Sequence, residues 1–152
     1  MIELTEKNIK FINKSTIKEE ALRNFGEMAL NVGCIDNKDL FYRGLIEREK
    51  EFSTGIGFKI AIPHCKSIAV KKASVFIQKF SEGVKWGGID DDDVIEVAIC
   101  LAVPEEEEGT THLKLLSKIA RSLMNKEFTK KLLSITTTEE MLKEITSIIN
   151  ND

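Results

Sequence analysis

The chain has 152 residues, 42% of them hydrophobic and 31% charged, with nine glycines and two prolines. That density of apolar residues excludes wholesale disorder and collagen-like order, and the length suits one domain, 1–152, able to bury a core without a metal or disulfide staple. Twenty-two Lys and Arg against 25 Asp and Glu give a formal charge of −3, which argues against nucleic acid as a partner.

The first helical pattern follows Ser15-Thr16. Ile17, Ala21, Phe25, Met28, Ala29 and Val32 recur every three or four residues on one face. Ser15 or Thr16 can cap its start, and Gly33 can end it in the left-handed conformation. Asp36 offers an N-cap for a second helix through about Lys50, with Leu40, Phe41, Leu45 and Ile46 inward and Arg48 near its end. Ser53-Thr54-Gly55-Ile56-Gly57 reads as a loop, and Ile60-Ala61-Ile62 as a short extended run stopped by Pro63. Ala73 to Phe80 predicts a strand, and Ser81-Glu82-Gly83 a turn back toward Val84-Lys85-Trp86. Trp86 reads as packing at a strand end.

Val94 to Val103 predicts the central strand. Positions 95, 97, 99, 101 and 103 are Ile, Val, Ile, Leu and Val, while 98, 100 and 102 are Ala, Cys and Ala. Both faces are apolar, so both must be covered. After Gly109, Leu113, Leu116, Ala120 and Leu123 form one helical stripe, widened by Leu115 and Ile119. A shorter helix, roughly Lys126 to Ser134, follows. The last is capped by Thr137 or Thr138, has Glu139 and Glu140 in its first turn, and buries Met141, Leu142, Ile145, Ile148 and Ile149. Helices flanking central strands predict a single-domain α/β layered sandwich.

Few residues can carry chemistry. Cys34, Cys65 and Cys100 form no CxxC pair, which predicts reduced thiols in a cytoplasmic chain. No apolar run approaches the roughly 20 residues of a membrane span. Met1-Ile2-Glu3-Leu4-Thr5-Glu6 lacks the basic start and apolar core of a signal peptide. The two histidines, His64 and His112, have no close-spaced ligands for zinc, and Gly55-Ile56-Gly57 completes neither a dinucleotide nor a P-loop fingerprint, so neither metal nor cofactor is expected. The acidic runs Asp90 to Asp93 and Glu105 to Glu108 lack calcium-loop spacing and read as solvated loops.

His64 follows Ile-Ala-Ile-Pro, so a buried run delivers it to the rim of the sheet, with Lys59, Cys65, Lys66 and Ser67 as polar company. A hydrogen-bonded structural histidine fits the same position equally well. Cys65 is a bystander, since neighbours on an extended chain point to opposite sides. His112 follows Thr110-Thr111 at a helix start, where the dipole favours neutral imidazole and the free N–H groups suit an anion. Simple capping by a threonine, with His112 solvated, is the plainer reading of that position alone.

Taken together, Glu47-Arg48-Glu49-Lys50, Ser53-Thr54-Gly55-Ile56-Gly57 and Ala61-Ile62-Pro63-His64 resemble the EIIA component, fructose/mannitol type, of the bacterial phosphoenolpyruvate-dependent sugar phosphotransferase system. Val84-Lys85-Trp86-Gly87, Leu101-Ala102-Val103-Pro104, His112-Leu113-Lys114-Leu115-Leu116 and the segment from Phe128 to Glu140 extend the resemblance over nearly the whole chain. It implies a mixed five-stranded sheet between helices and a phosphoryl carrier. His64 would be the phosphoryl acceptor, loaded by HPr and unloaded onto an EIIB component of a sugar permease. His112 would hydrogen-bond the phosphoryl group, Arg48 would help neutralise it, and Thr54 would be a polar neighbour. The resemblance implies no cofactor, no membrane insertion and no direct sugar binding. A nitrogen-type paralogue, regulating partner proteins through its phosphorylation state, is the alternative. Phe58-Lys59 departs from the family, which often has small or polar residues there.

Overall fold

The computed structural model describes residues 2–87, 93–106 and 110–150, the side chains of 110–112 excepted. A single 3-10 turn, Glu6–Asn8, leads into β1 (Ile9–Ile12), followed by helices α1 (Lys18–Asn31) and α2 (Lys38–Glu51). Then come β2 (Ile60–Ala61), β3 (His64–Ser67), β4 (Ser74–Lys85) and β5 (Val94–Pro104), before α3 (Thr110–Leu123), α4 (Lys126–Ser134) and α5 (Thr138–Ile149). The strands make one five-stranded sheet in the order β1-β4-β5-β2, with β3 also on β5. β1 is parallel to β4, β4 antiparallel to β5, and β2 and β3 parallel to β5, so the sheet is mixed. The fold is the expected α/β sandwich.

β5 is covered on both faces. Ala98, Cys100 and Ala102 are small, and that face packs with Phe25 of α1 and with Phe41 and Leu45 of α2. Val97, Ile99 and Leu101 meet Leu115 and Ile119 of α3 and Met141 and Ile145 of α5 on the other. Ile95 breaks the expected alternation and joins the α1–α2 cluster. The cause is a bulge: the amides of Glu96 and Val97 both donate to the Lys59 carbonyl, at 2.8 and 3.2 Å.

Several expectations are corrected. The strand at 74–85 does not turn back at Ser81-Glu82-Gly83; it runs on as β4, with a register irregularity between Lys79 and Val84 absorbing those residues. β2 ends before Pro63 as expected, but the ladder resumes at His64 as β3. Ile60 pairs Val97 and His64 pairs Leu101, so the same register holds on both sides of the proline. Pro63 has no N–H to give to the ladder, and its carbonyl still accepts from Leu101 at 3.0 Å. α1 starts without a side-chain cap: its N-cap is Ile17, which is 62% exposed, and Thr16 bonds Glu20 instead. The α2 cap is Asn37, not Asp36, accepting from the Leu40 amide at 3.0 Å. On α3 the buried line is Leu115, Ile119 and Leu123, while Leu113 and Ala120 are exposed. β1 gave no usable sequence signal, because four residues as a parallel edge strand are too few to show a period.

Gly33 ends α1 at φ +75°, as its position suggests. Asn125 and Thr137 cap α4 and α5 through their side chains. Asp90 to Asp92, and Glu107 and Glu108, lie outside the described residues. Among the described residues no helix is long and apolar enough to cross a membrane.

Residues 54–62 form a tight hairpin. The Ile62 amide donates to the Thr54 carbonyl at 2.9 Å, Gly55 bridges Ala61, and the Ile60 amide donates to the Gly57 carbonyl at 3.1 Å. Phe58 and Lys59 occupy the two central turn positions with φ of 57° and 65°. That is the φ signature of a type I′ turn, which strongly prefers Asn-Gly. A left-handed conformation costs such side chains roughly 1–2 kcal/mol each.

Gly44 sets the approach of α2 to β3. A Cβ built there would lie 2.3 Å from Cys65 Sγ, so only glycine lets the helix sit this close. Gly44→Ala is expected to lower the unfolding free energy by about 1–2 kcal/mol, overpacking outweighing the better helix propensity. In a Cys65→Ala background the same change should be neutral or stabilising by up to about 1 kcal/mol. Urea denaturation of the four proteins in that cycle measures the reversal of sign.

Candidate functional site

His64 opens β3 and shares a sheet face with Ile60 and Ile62, the face that α3 to α5 cover. Cys65, next along, points the other way into the α1–α2 cluster. Burial pushes the Cys65 thiol up to about 12, so it is no thiolate nucleophile near neutral pH. All three cysteines are free and buried.

The His64 ring is held at both nitrogens. Nδ1 lies 2.9 Å from the Ile62 carbonyl, an acceptor only, so Nδ1 carries the hydrogen. Nε2 therefore holds the lone pair, and it accepts from Arg48 Nε at 3.1 Å. Arg48 reaches this point from the last turn of α2, and its Nη1 donates to the Phe52 carbonyl at 2.9 Å. Burial lowers the His64 pKa, and the Arg48 charge lowers it further; the Ile62 bond opposes them only in part. The ring is thus a neutral imidazole with a partly buried, directed nucleophilic nitrogen.

Behind this pair lies a buried polar layer that sequence reasoning missed. Glu49, whose side chain is 6% exposed, pairs with Lys18 of α1 at 2.6 Å. Its carboxylate also accepts the Thr54 amide, at 3.2 Å to Oε1, and the Thr54 hydroxyl. Trp86 Nε1 donates to that hydroxyl oxygen at 3.2 Å, and Lys18 Nζ donates to the Trp86 carbonyl at 2.8 Å. Thr54 is 4% exposed and Trp86 3%. The Thr54 hydroxyl proton is therefore committed to Glu49, so the residue sits beneath the site rather than facing a ligand. Lys18 and Glu49 are far apart in sequence with ordinary helical neighbours, and no local signal marks them.

Other expected neighbours are not brought in. Lys59 sits at the hairpin tip, paired with Glu96 at 3.2 Å. The Ser67 hydroxyl accepts from the Ala69 amide in the following turn. His112 falls in the first turn of α3, and its side chain lies outside the described residues.

Residues 3–148 match the family described as "Phosphoenolpyruvate-dependent sugar phosphotransferase system, EIIA 2". The chain belongs to this EIIA family. The EIIA chain is 36% identical over 131 residues to the fructose-specific EIIA component of Haloferax volcanii, 84% of each protein. It is 31% identical over 143 residues to the 2-O-alpha-mannosyl-D-glycerate-specific EIIABC component of Escherichia coli, and there it spans 93% of its own length but 22% of the relative's. Among solved structures, nitrogen regulatory protein IIA-Ntr from Neisseria meningitidis matches with a TM-score of 0.82 at 26% identity, covering 93% of this chain and 95% of that one. The complex of enzyme IIAMTL with phosphorylated enzyme IIBMTL from Escherichia coli matches at 0.79 and 25%, covering 97% and 99%.

Two outcomes follow for this EIIA site. His64 should titrate below the ordinary histidine value of about 6.5 with the proton of the neutral form on Nδ1, read from ring nitrogen shifts in NMR. Arg48→Gln should move the midpoint upward, since it removes a positive charge that holds it down and leaves Glu49 and Glu51, which act the other way. As pH falls below about 6.5 the unfolded chain takes up this proton first, so His64 makes stability decline in that direction. Separately, Glu49→Ala strands the Lys18 ammonium and the Thr54 hydroxyl. It should cost about 2–4 kcal/mol in urea denaturation, with Lys18 retaining the Trp86 carbonyl as partial compensation.

Proposed function

We propose that this EIIA chain is a phosphoryl carrier whose His64 accepts a phosphoryl group from phosphorylated HPr and passes it to an EIIB component of a sugar permease. The observation that carries this reading is the ring's tautomer. The Ile62 carbonyl fixes the hydrogen on Nδ1, which puts the lone pair on Nε2, where it accepts from Arg48 Nε.

The chemistry balances without a cofactor. The Nε2 lone pair attacks phosphorus, the bond from phosphorus to the donor's nitrogen breaks, and no proton needs to leave His64. Nδ1–H stays on the Ile62 carbonyl throughout. Transfer to EIIB reverses the step. Positioning and charge stabilisation are the main demands of such a reaction. Arg48, already at Nε2, moves its hydrogen bond from nitrogen to a phosphoryl oxygen and balances part of the roughly −1.5 to −2 charge of a phosphate group. His112, in the first turn of α3, supplies a second donor to the phosphoryl oxygens. Thr54 contributes at one remove, by tying Glu49 and the end of α2 to the hairpin that precedes His64. Phe52, 76% exposed just after α2, and Leu113, 65% exposed beside His112, give a protein partner apolar footing around the site.

The likeness to IIA-Ntr favours a second reading, in which the phosphorylated and free forms regulate partner proteins. The chemistry at His64 is the same, and the fate of the phosphoryl group separates the two.

Intact mass after incubation with phosphoenolpyruvate, Enzyme I and HPr tests the carrier. Wild type should gain one acid-labile phosphate and His64→Ala none, while His112→Ala should be labelled more slowly. Equal labelling of wild type and His64→Ala sinks the assignment. Efficient onward transfer to an EIIB acceptor counts for transport and against the regulatory reading.

A further inference from the structure

A second surface lies at the other end of the sheet from His64. β2 and β3 run in one register along β5, so Ile60 is about 13 Å from His64 by strand rise. α3 begins near His112 and ends at Leu123, about 16 Å further along its axis. At that far end a groove of ≈ 350 Å³ opens between the hairpin tip and α4. Phe58, Leu123 and Leu133 provide apolar lining, and Lys126 and Lys130 border it with Lys59, whose ammonium is paired with Glu96.

Three features mark this groove as more than incidental surface. Phe58 is 61% exposed while held in a left-handed turn position that suits Asn or Gly, so the backbone is strained to present an aromatic ring outward. Lys126, Thr129, Lys130 and Leu133 follow the spacing of one helical face, and neither Lys126 nor Lys130 has an ion-pair partner among the described residues. Lys131, off that line, is paired with Glu144 of α5 at 2.6 Å. In a chain of net charge −3, this is a local cationic rim around an apolar floor. The Thr129 hydroxyl does not add polarity, since it donates to the Leu123 carbonyl at 2.9 Å.

We infer that this groove docks an acidic, leucine-rich peptide segment of a protein partner, at a site separate from the phosphoryl-transfer face. Aliphatic side chains would fill the floor against Phe58, and flanking carboxylates would meet Lys126 and Lys130. A polyanion without apolar groups would leave that floor uncovered. A small amphiphile confined to the cavity would leave the outer face of Phe58, and Met124 at 81% exposure, in water. A peptide segment covers both. A partner seated there leaves His64 open, so docking and phosphoryl transfer can coexist.

The test uses the full chain, isotope-labelled, titrated with a short acetylated peptide alternating glutamate and leucine. Amide shifts should change at Phe58, Lys59 and along Leu123 to Leu133, and affinity should fall with added salt. Lys126→Glu with Lys130→Glu should weaken binding about tenfold or more. Phe58→Asn with Lys59→Gly should raise thermal stability by relieving the turn, and yet lose the peptide, which rules out unfolding as the cause. All these variants should accept phosphate on His64 as wild type does. Equal binding of a glutamine-for-glutamate peptide, shifts elsewhere or none, tighter saturation of the same amides by decanoate, or loss of phosphoryl acceptance in the variants would each overturn the proposal.

Discussion

Pro63 has no N–H to give to β5, yet its carbonyl still takes the Leu101 amide, and the chain stays in one parallel register from Ile60 to Ser67. Much of the molecule hangs on that register. It puts Ile60, Ile62 and His64 on the face shared with α3 to α5, and Ala61 and Cys65 on the face shared with α1 and α2. It also brings the Ile62 carbonyl under the His64 ring, where it fixes the hydrogen on Nδ1. A shift of one residue would exchange the two faces and send the imidazole into the α1–α2 core.

The site then depends on α2 lying close enough for Arg48 to reach Nε2. Gly44, one turn before Arg48, permits that approach by leaving room for Cys65 Sγ. Beyond it, Glu49 gathers Lys18, Thr54 and, through Thr54, the indole of Trp86 into one connected polar layer. A buried carboxylate is costly unless its acceptor sites are filled, and here a cation, an amide and a hydroxyl fill them. The result is a rigid floor: one helix end, one hairpin arm and one strand end are tied to a single side chain. Rigidity of this kind suits the carrier role proposed for His64, in which one group meets two different protein partners in the same orientation.

The hairpin of residues 54–62 joins this floor to the far groove. One arm begins at Thr54, fastened to Glu49, and the other runs through Ile62 toward His64. Its tip is the strained Phe58-Lys59 turn. Those two residues thus combine the unfavourable turn geometry with the rim of the groove. Local sequence preference is violated at one place, and that place presents an exposed aromatic ring.

Helices and the central strand were legible because their periods are long and their apolar patterns dense: α4 begins and ends where the pattern predicts, and β5 differs by one residue. His64 and Arg48 were legible as a pair only through the motif series around them. Residue patterns alone determined which segments are helical, the two-sided burial of β5 and a histidine delivered by a buried run, while Leu40, Leu113 and Ala120, expected inward, are exposed. Only the tertiary structure decided that β4 continues through Ser81 to Gly83, because pairing with β5 outweighs a local turn preference. It also decided that Ile95 changes face, because a bulge is a property of two strands. The same holds for Glu49, which becomes the centre of a buried network through partners 5, 31 and 37 positions away (Thr54, Lys18 and Trp86), contacts that no local period encodes.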